Sequence, residues 1–287
     1  MIVSLAGQGH SAKACCRLLD VAPSGFFYWR GRPPTARELR WEQLGGLIAD
    51  IHHASNGTYG SRRVTAELRL GFDVTANRKA VRAIMLRLGL QGLPVLKAKR
   101  KGPSENATAT DLVMRDFSRD APNRLWLTDI TEHRTREGKL YCCVVLDAYS
   151  RRVVGWSIDN RQAASLVMSA LGMAVSRRKP RSGSVIHSDH GSQFTSWAFS
   201  DRVTNAGLAL SMGRIGDAFD NAMMEAFWGR MQTELLNRKR WRTRLELANA
   251  IFEYVEIFHN RRRRHSALGM LPPADYESLY HQQRVAA

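Results

Sequence analysis

The rhythm of apolar positions changes character near residue 122. Ahead of it, hydrophobic residues recur at helical spacing; beyond it, short apolar runs bounded by turn residues alternate with helical stretches. The first thirty residues predict a short helix over 11–19. A second helix starts at Pro23 and Ser24, leading into Phe26, Phe27, Tyr28 and Trp29, and the Pro33-Pro34 pair closes this piece. From Ala36 to His53, Leu39, Leu44, Leu47, Ile48 and Ile51 keep a helical interval. Ser61 is a candidate cap for a helix through Leu70, with Val64 and Leu68 on one side, and 71–75 reads as a turn. Asn77 then caps a helix through Leu88, with Val81, Ile84, Met85 and Leu88 inward and Arg78, Lys79, Arg82 and Arg87 outward. A basic helix after a tight turn is a helix-turn-helix candidate; a purely architectural bundle with solvated arginines is the alternative.

The second half predicts layers. A strand over 125–131, a hairpin turn at 136–139, a strand over 140–146, a turn at 147–151 and a strand over 152–158 form a meander. A helix over 163–177, a strand at 185–187, a helix over 196–205 and a strand over 208–212 follow. A helix around 219–228 comes next, then a last one over 245–258 whose stripe is Leu245, Ala248, Ile251, Phe252, Val255 and Phe258. This is an α/β order. The resulting partition is an N-terminal helical segment (1–35), a helix-turn-helix-type domain (36–95), a basic linker (96–121) and a core with a basic C-terminal helix and tail (122–287).

Three acidic residues stand out against this pattern. Asp129 falls inside the apolar strand Leu125 to Thr131, Asp189 directly follows Val185-Ile186-His187, and Glu225 lies in the apolar helical run Met223-Met224-Glu225-Ala226-Phe227-Trp228. A bare carboxylate in such surroundings costs several kcal/mol unless a positive charge compensates it. A shared pair of divalent cations is the simplest compensation. Helix capping and turn formation are the ordinary roles of acidic residues, and they account for Asp147, Asp217 and Asp220.

Charge narrows the partner. Lysine and arginine total 43 against 26 acidic residues, a net charge of +17, spread as +9 over residues 1–121 and +8 over 122–287. A field of that sign attracts a polyanion, above all nucleic acid. An anionic membrane is the other candidate, but the chain offers no amphipathic anchor, signal peptide or long apolar run. The four cysteines form two vicinal pairs, Cys15-Cys16 and Cys142-Cys143, without zinc-ligand spacing, which fits a reduced cytosol.

Four strings then carry a resemblance. Trp126 to Thr131, His187 to Ser196 (HSDHGSQFTS) and Asp220 to Phe227 (DNAMMEAF) resemble the three signatures of the DDE transposase and retroviral-integrase superfamily. Tyr59 to Thr65 and the tail His259 to Gly269 with Pro272 are similar to motifs of the OrfB product of frameshifting insertion-sequence transposases. The resemblance covers nearly the whole chain. It implies a ribonuclease-H-like integrase catalytic core, a five-stranded mixed sheet flanked by helices that brings Asp129 beside Asp189, preceded by an all-α helix-turn-helix region. It also implies a DNA transposase in which Asp129, Asp189 and Glu225 hold two Mg²⁺ or Mn²⁺ ions about 4 Å apart. Strand cleavage at the element ends would be followed by strand transfer through a circular intermediate.

The implied partners are double-stranded DNA at element ends and target, further copies of the chain on that DNA, and an upstream-frame OrfA-type protein, in a bacterial cytoplasm. Candidate DNA contacts are Arg62 and Arg63; Arg78, Lys79 and Arg82; and the linker residues Lys97, Lys99, Arg100 and Lys101. Asn221, Arg230, Arg261, Arg262, Arg264 and His265 complete the set. One departure is Gln232, where related transposases commonly carry a lysine; Arg230 or Arg238-Lys239-Arg240 are the available substitutes. The competing functions are a DNA-binding regulatory or accessory subunit inactive without its upstream partner, and a ribonuclease H-type hydrolase.

Overall fold

The computed structural model describes residues 1–94, 117, 119–212 and 222–285. Three short helices open the chain: α1 (Ile2–Gly7), α2 (Ala12–Leu18) and α3 (Pro23–Gly31). Ser11 accepts the Ala14 amide to start α2, and Pro23 starts α3. Together they bury Cys15, Cys16 and Phe26 and leave Leu18, Tyr28 and Trp29 exposed. The next helix, α4 (Ala36–Ala54), begins with a reciprocal Thr35–Glu38 capping box. In α5 (Ser61–Gly71) Gly60, not Ser61, occupies the cap position, while Asn77 caps α6 (Arg78–Arg87) through the Lys79 amide at 2.8 Å. Leu39 and Leu88, expected inward, are largely exposed. The linker residues Lys97, Lys99, Arg100 and Lys101 lie outside the described residues, as do Asp217, Asp220 and Asn221.

The core is a five-stranded sheet built from β1 (Leu125–Thr135), β2 (Gly138–Asp147), β3 (Val153–Asp159), β4 (Val185–Ser188) and β5 (Ala209–Met212). Their spatial order is β3-β2-β1-β4-β5. The meander β1-β2-β3 is antiparallel, whereas β4 pairs parallel with β1 and β5 parallel with β4. This is the mixed sheet expected.

Both faces of β1 and β2 are covered, which is why those strands read as near-continuous apolar runs. Trp126, Cys143, Val145 and Ile186 point to one side and meet α7 (Ala164–Arg178) and α8 (Trp197–Asn205) through Leu166, Val167, Ala170, Leu171, Phe199 and Val203. Leu125, Leu127, Cys142, Val144 and Leu146 point to the other, against α9 (Ala222–Glu234) and α10 (Arg244–Phe252). The same apolar cluster runs on into α4–α6 through Ile48, Val64, Leu68 and Ile84. One continuous core thus crosses from the front helices into the sheet.

The C-terminal part departs most from expectation. The buried stripe of α10 is Leu247 and Ile251, with Leu245 and Phe252 turned to solvent. The helix then widens into a π-helical segment, Glu253–Arg262, followed by a 3₁₀ turn at Ser266–Leu268 and by α11 (Pro273–Val285). The wider turn brings the consecutive residues Phe258, His259 and Asn260 inward together, which an α-helix does not allow. Asn260 uses its amide to bond both the N–H and the C=O of Val153, each at 2.9 Å, completing the edge strand β3. Glu277 on α11 accepts from Arg178, Arg152 and the Ser150 hydroxyl, which also lies 3.1 Å from a carboxylate oxygen of buried Asp147. Asp147 also accepts the Tyr149, Ser150 and Asn123 amides, so turn formation accounts for it.

Gly155 on β3 marks the tightest approach of strand to helix: a Cβ there would collide with the Ala170 carbonyl oxygen and stand 2.8 Å from the Ala174 Cβ. Gly155→Ala is expected to destabilise the fold by about 1–3 kcal/mol in urea unfolding, whereas Gly229→Ala, with open space around it, is expected to be neutral or stabilising.

Candidate active site

Strand register places the two aspartates. Leu125 pairs with Val185, Trp126 with Ile186 and Leu127 with His187. Continuing that register by two residues sets Asp129, within β1, beside Asp189, just past the carboxyl end of β4. Because side chains alternate along a strand, Asp129 projects to the same face as Leu125 and Leu127, the face that α9 covers. Antiparallel pairing of Asp129 with Val144 fixes it from the other side.

Glu225 arrives on α9, and Trp228 docks that helix. One turn beyond Glu225, on the same helix face, Trp228 donates its indole N–H to Asp129 Oδ2 at 3.0 Å. Asp129 Oδ1 accepts its neighbour's Ile130 amide at 2.7 Å, and Asp189 Oδ1 accepts the Gly191 amide at 3.0 Å. Met223, Met224, Phe227 and Met231 bury the rest of α9 in the core and leave Glu225 exposed. Trp228 was not anticipated as a site residue; its signal was the three-residue spacing from Glu225.

The electrostatics bind the three acids together. Burial first, then the negative charges of Asp189 and Glu225, push the Asp129 carboxyl up to about 6, against the Ile130 and Trp228 hydrogen bonds. Among the described residues, no lysine or arginine is a principal influence on it. Three hard oxygen donors with an uncompensated, partly desolvated member are the donor chemistry that suits Mg²⁺ or Mn²⁺. Yet among the described residues no three acidic, histidine or cysteine groups stand close enough to enclose an ion.

The candidate DNA contacts divide in two. Arg62, Arg78, Lys79, Arg82, Arg261 and Arg262 are exposed. Arg264 and His265 are buried, contrary to the expectation of a row of phosphate clamps. Arg264 grips Glu67 of α5 through two nitrogens, at 2.6 and 3.1 Å. Arg63 is drawn to the Arg264 carbonyl (3.2 Å) and to Glu234 (3.6 Å). Half-buried Arg230 lies close enough to Arg263, Tyr254 and Glu234 to feel their charges, and desolvation lowers it to about 10. Arg263, between these residues, is fully buried on Glu234.

A five-stranded mixed sheet of this order, fronted by a helical region, is the integrase-core arrangement, and the family matches make the chain a DDE-type polynucleotidyl transferase. Family comparison agrees. The integrase core domain matches residues 119–218, a second integrase core domain description matches 206–273, and an HTH-like domain matches 40–98. The chain is 38% identical over 275 residues to a putative transposase for insertion sequence element IS986/IS6110 of Mycobacterium tuberculosis (strain ATCC 25618 / H37Rv), covering 93% of this chain and 98% of that one. It is 36% identical over 278 residues to transposase InsF for insertion sequence IS3A of Escherichia coli (strain K12), covering 93% and 94%. Among solved structures it is similar to the HTLV-2 integrase catalytic core domain in complex with magnesium (trimeric form), at 18% identity and TM-score 0.43, over 55% of this chain and 98% of that one. The chain belongs to the insertion-sequence transposases with an integrase core, of the OrfB type, and acts in DNA transposition.

The raised Asp129 carboxyl has a measurable consequence. An unfolded aspartate titrates near 3.9, so between about 4 and 6 the folded state binds more protons than the unfolded one, and stability falls as pH rises. Without divalent ions, Asp129→Asn is therefore expected to be more stable than wild type by about 1–2 kcal/mol at pH 7.5, after discounting for partial solvent access. The gap should vanish at pH 4. Urea midpoints at the two pH values check this, and an equal gap at both would contradict it.

Proposed function

We propose that the chain cuts and joins DNA at insertion-sequence ends by a metal-dependent reaction, with Asp129, Asp189 and Glu225 as the ligands of two Mg²⁺ or Mn²⁺ ions. The observation that carries this reading is the electrostatic coupling of Asp129 on β1 to Asp189, just past β4, and to Glu225 on α9. When bound, the ions supply Lewis-acid activation of the attacking hydroxyl and neutralise charge on the phosphodiester. The chain's own contributions are distinct. Asp129, held by two hydrogen bonds, is the fixed member of the set. Asp189 and Glu225 are exposed and approachable by the DNA backbone and its ions. The basic face of α6, with Arg78, Lys79 and Arg82, together with exposed Arg62, Arg261 and Arg262, offers phosphate contacts that hold the duplex without reading bases.

The proposed setting is the cytoplasm, on element and target DNA, with more than one copy assembled on the ends. No helix among the described residues is long and apolar enough to cross a membrane. A second reading, a DNA-binding accessory subunit, draws on one specific observation: the carboxylates stand short of enclosing an ion. A nicking assay on short duplexes carrying the element ends, with Mn²⁺, separates the two.

Asp129→Asn, Asp189→Asn and Glu225→Gln are each expected to lower Mn²⁺-dependent cleavage at least about 100-fold while leaving duplex affinity nearly unchanged. A variant that cleaves at the wild-type rate removes that residue from the ligand set. Arg78→Ala and Arg82→Ala are expected to weaken binding to all duplexes alike and to reduce the salt slope by about one unit each. Unchanged salt slopes would return α6 to a purely architectural role.

A further inference from the structure

Buried charge in this protein concentrates on the far end of the helix that carries Glu225. Glu234, the last residue of α9, is buried, yet three side chains converge on it, from α5, the π-helical segment and the turn after it. Arg263, just after the π-helical segment, donates to both its oxygens, Nε to Oε2 at 2.7 Å and Nη2 to Oε1 at 2.5 Å. Tyr254, within that segment, donates its hydroxyl to Oε2 at 2.9 Å. Arg63 of α5 stands 3.6 Å from Oε1. Arg263 is 1% exposed. A pair so deeply desolvated is weak grounds for a stability role, because apolar residues of similar volume usually do as well. What a bidentate, buried pair does supply is a fixed geometry.

Nine residues separate Glu225 from Glu234, which puts them on opposite faces of α9 at its two ends. Trp228 fastens the Glu225 side of the helix to Asp129, and Glu234 fastens the other side to Arg263, Tyr254 and Arg63. Two anchors six residues apart, about 120° from each other round the helix, define both its rotation and its position along its axis. Glu225 itself is exposed, so the helix beneath it determines where its carboxylate stands.

We propose that Glu234 is a positioning residue for Glu225: by clamping the far end of α9 to Arg263 and Arg63 it sets the register in which Glu225 joins Asp129 and Asp189. This rests on the three-carboxylate reading above. The clamp also ties that register to α5, whose Arg62, next to Arg63, is exposed.

The test is Mn²⁺ binding to the full chain, followed by the electron paramagnetic resonance of free Mn²⁺ and run beside thermal unfolding. Four proteins are compared: wild type, Glu225→Gln, Glu234→Gln and the double variant. The expected result is that Glu234→Gln stays folded and weakens Mn²⁺ binding by about 10-fold, at the low end for residues that orient a ligand from behind. In the Glu225→Gln background, Glu234→Gln is expected to add nothing, because its effect passes through the missing carboxylate. Tyr254→Phe, which removes one of the hydrogen bonds to Glu234, is expected to weaken binding in the same direction by about 2-fold, and it stands in should Glu234→Gln fail to fold. Unchanged Mn²⁺ affinity in Glu234→Gln, or in Tyr254→Phe as its stand-in, beside a weakened Glu225→Gln overturns the positioning role alone. An equal loss in both backgrounds also overturns it. Identical affinity in wild type and Glu225→Gln overturns the three-carboxylate reading and this proposal with it.

Discussion

A parallel ladder of three residue pairs, Leu125 to Leu127 against Val185 to His187, determines where the two aspartates stand. Side chains alternate along a strand, so a slip of one residue would turn Asp129 away from α9 and toward α7 and α8. The flanking apolar residues forbid that slip. Trp126 and Ile186 fill one face, Leu125 and Leu127 the other, and exchanging the sets would put a carboxylate into the core beside Leu166 and Phe199. A short ladder suffices because both faces of β1 are specified by packing.

Bringing like charges to one edge is unfavourable, and the fold absorbs that cost away from the site. Asp129 is raised to about 6 by desolvation and by its two acidic neighbours. The forces that hold it there are the antiparallel pairing to β2, the Trp228 indole, and a core that continues from the sheet into α4–α6. Such tension between local charge and global packing is characteristic of functional positions, where local preference and fold disagree.

Much of this was legible in the sequence, for identifiable reasons. The alternation of Leu140, Cys142, Val144 and Leu146 with Cys143 and Val145 is a two-faced strand written in apolar residues, and Asn77 before a basic amphipathic run is a helix start with its cap in place. The catalytic candidates emerged because acids in apolar strings violate that pattern. Less legible was everything that depends on partners distant in sequence. Nothing local to Glu234 says that it meets Arg263, or that Trp228 turns its N–H to a strand a hundred residues earlier. The π-helical segment also escaped, since the spacing from Leu247 to Phe258 fits an α-helix until Asn260 must reach Val153. So did α11, whose place depends on one buried acid, Glu277, meeting Arg152 and Arg178.

The arginine run at 261–264 shows how one residue type in an unbroken row acquires different roles. Arg261 and Arg262 remain exposed, whereas Arg263 and Arg264 turn inward to Glu234 and Glu67. Charge alone cannot choose among them. The chain direction leaving the π-helical segment does, because it aims alternate faces at α5 and α9, where the acids wait. Tyr59 reinforces this arrangement by donating its hydroxyl to the Arg262 carbonyl and accepting the Arg264 amide. The consequence is mechanical: the basic tail is a bracket whose inner arginines fasten α5 and α9 together, while its outer ones face solvent beside them. A phosphate backbone engaging Arg261 or Arg262 would thus load a structure already clamped, through Arg263, to the helix of Glu225.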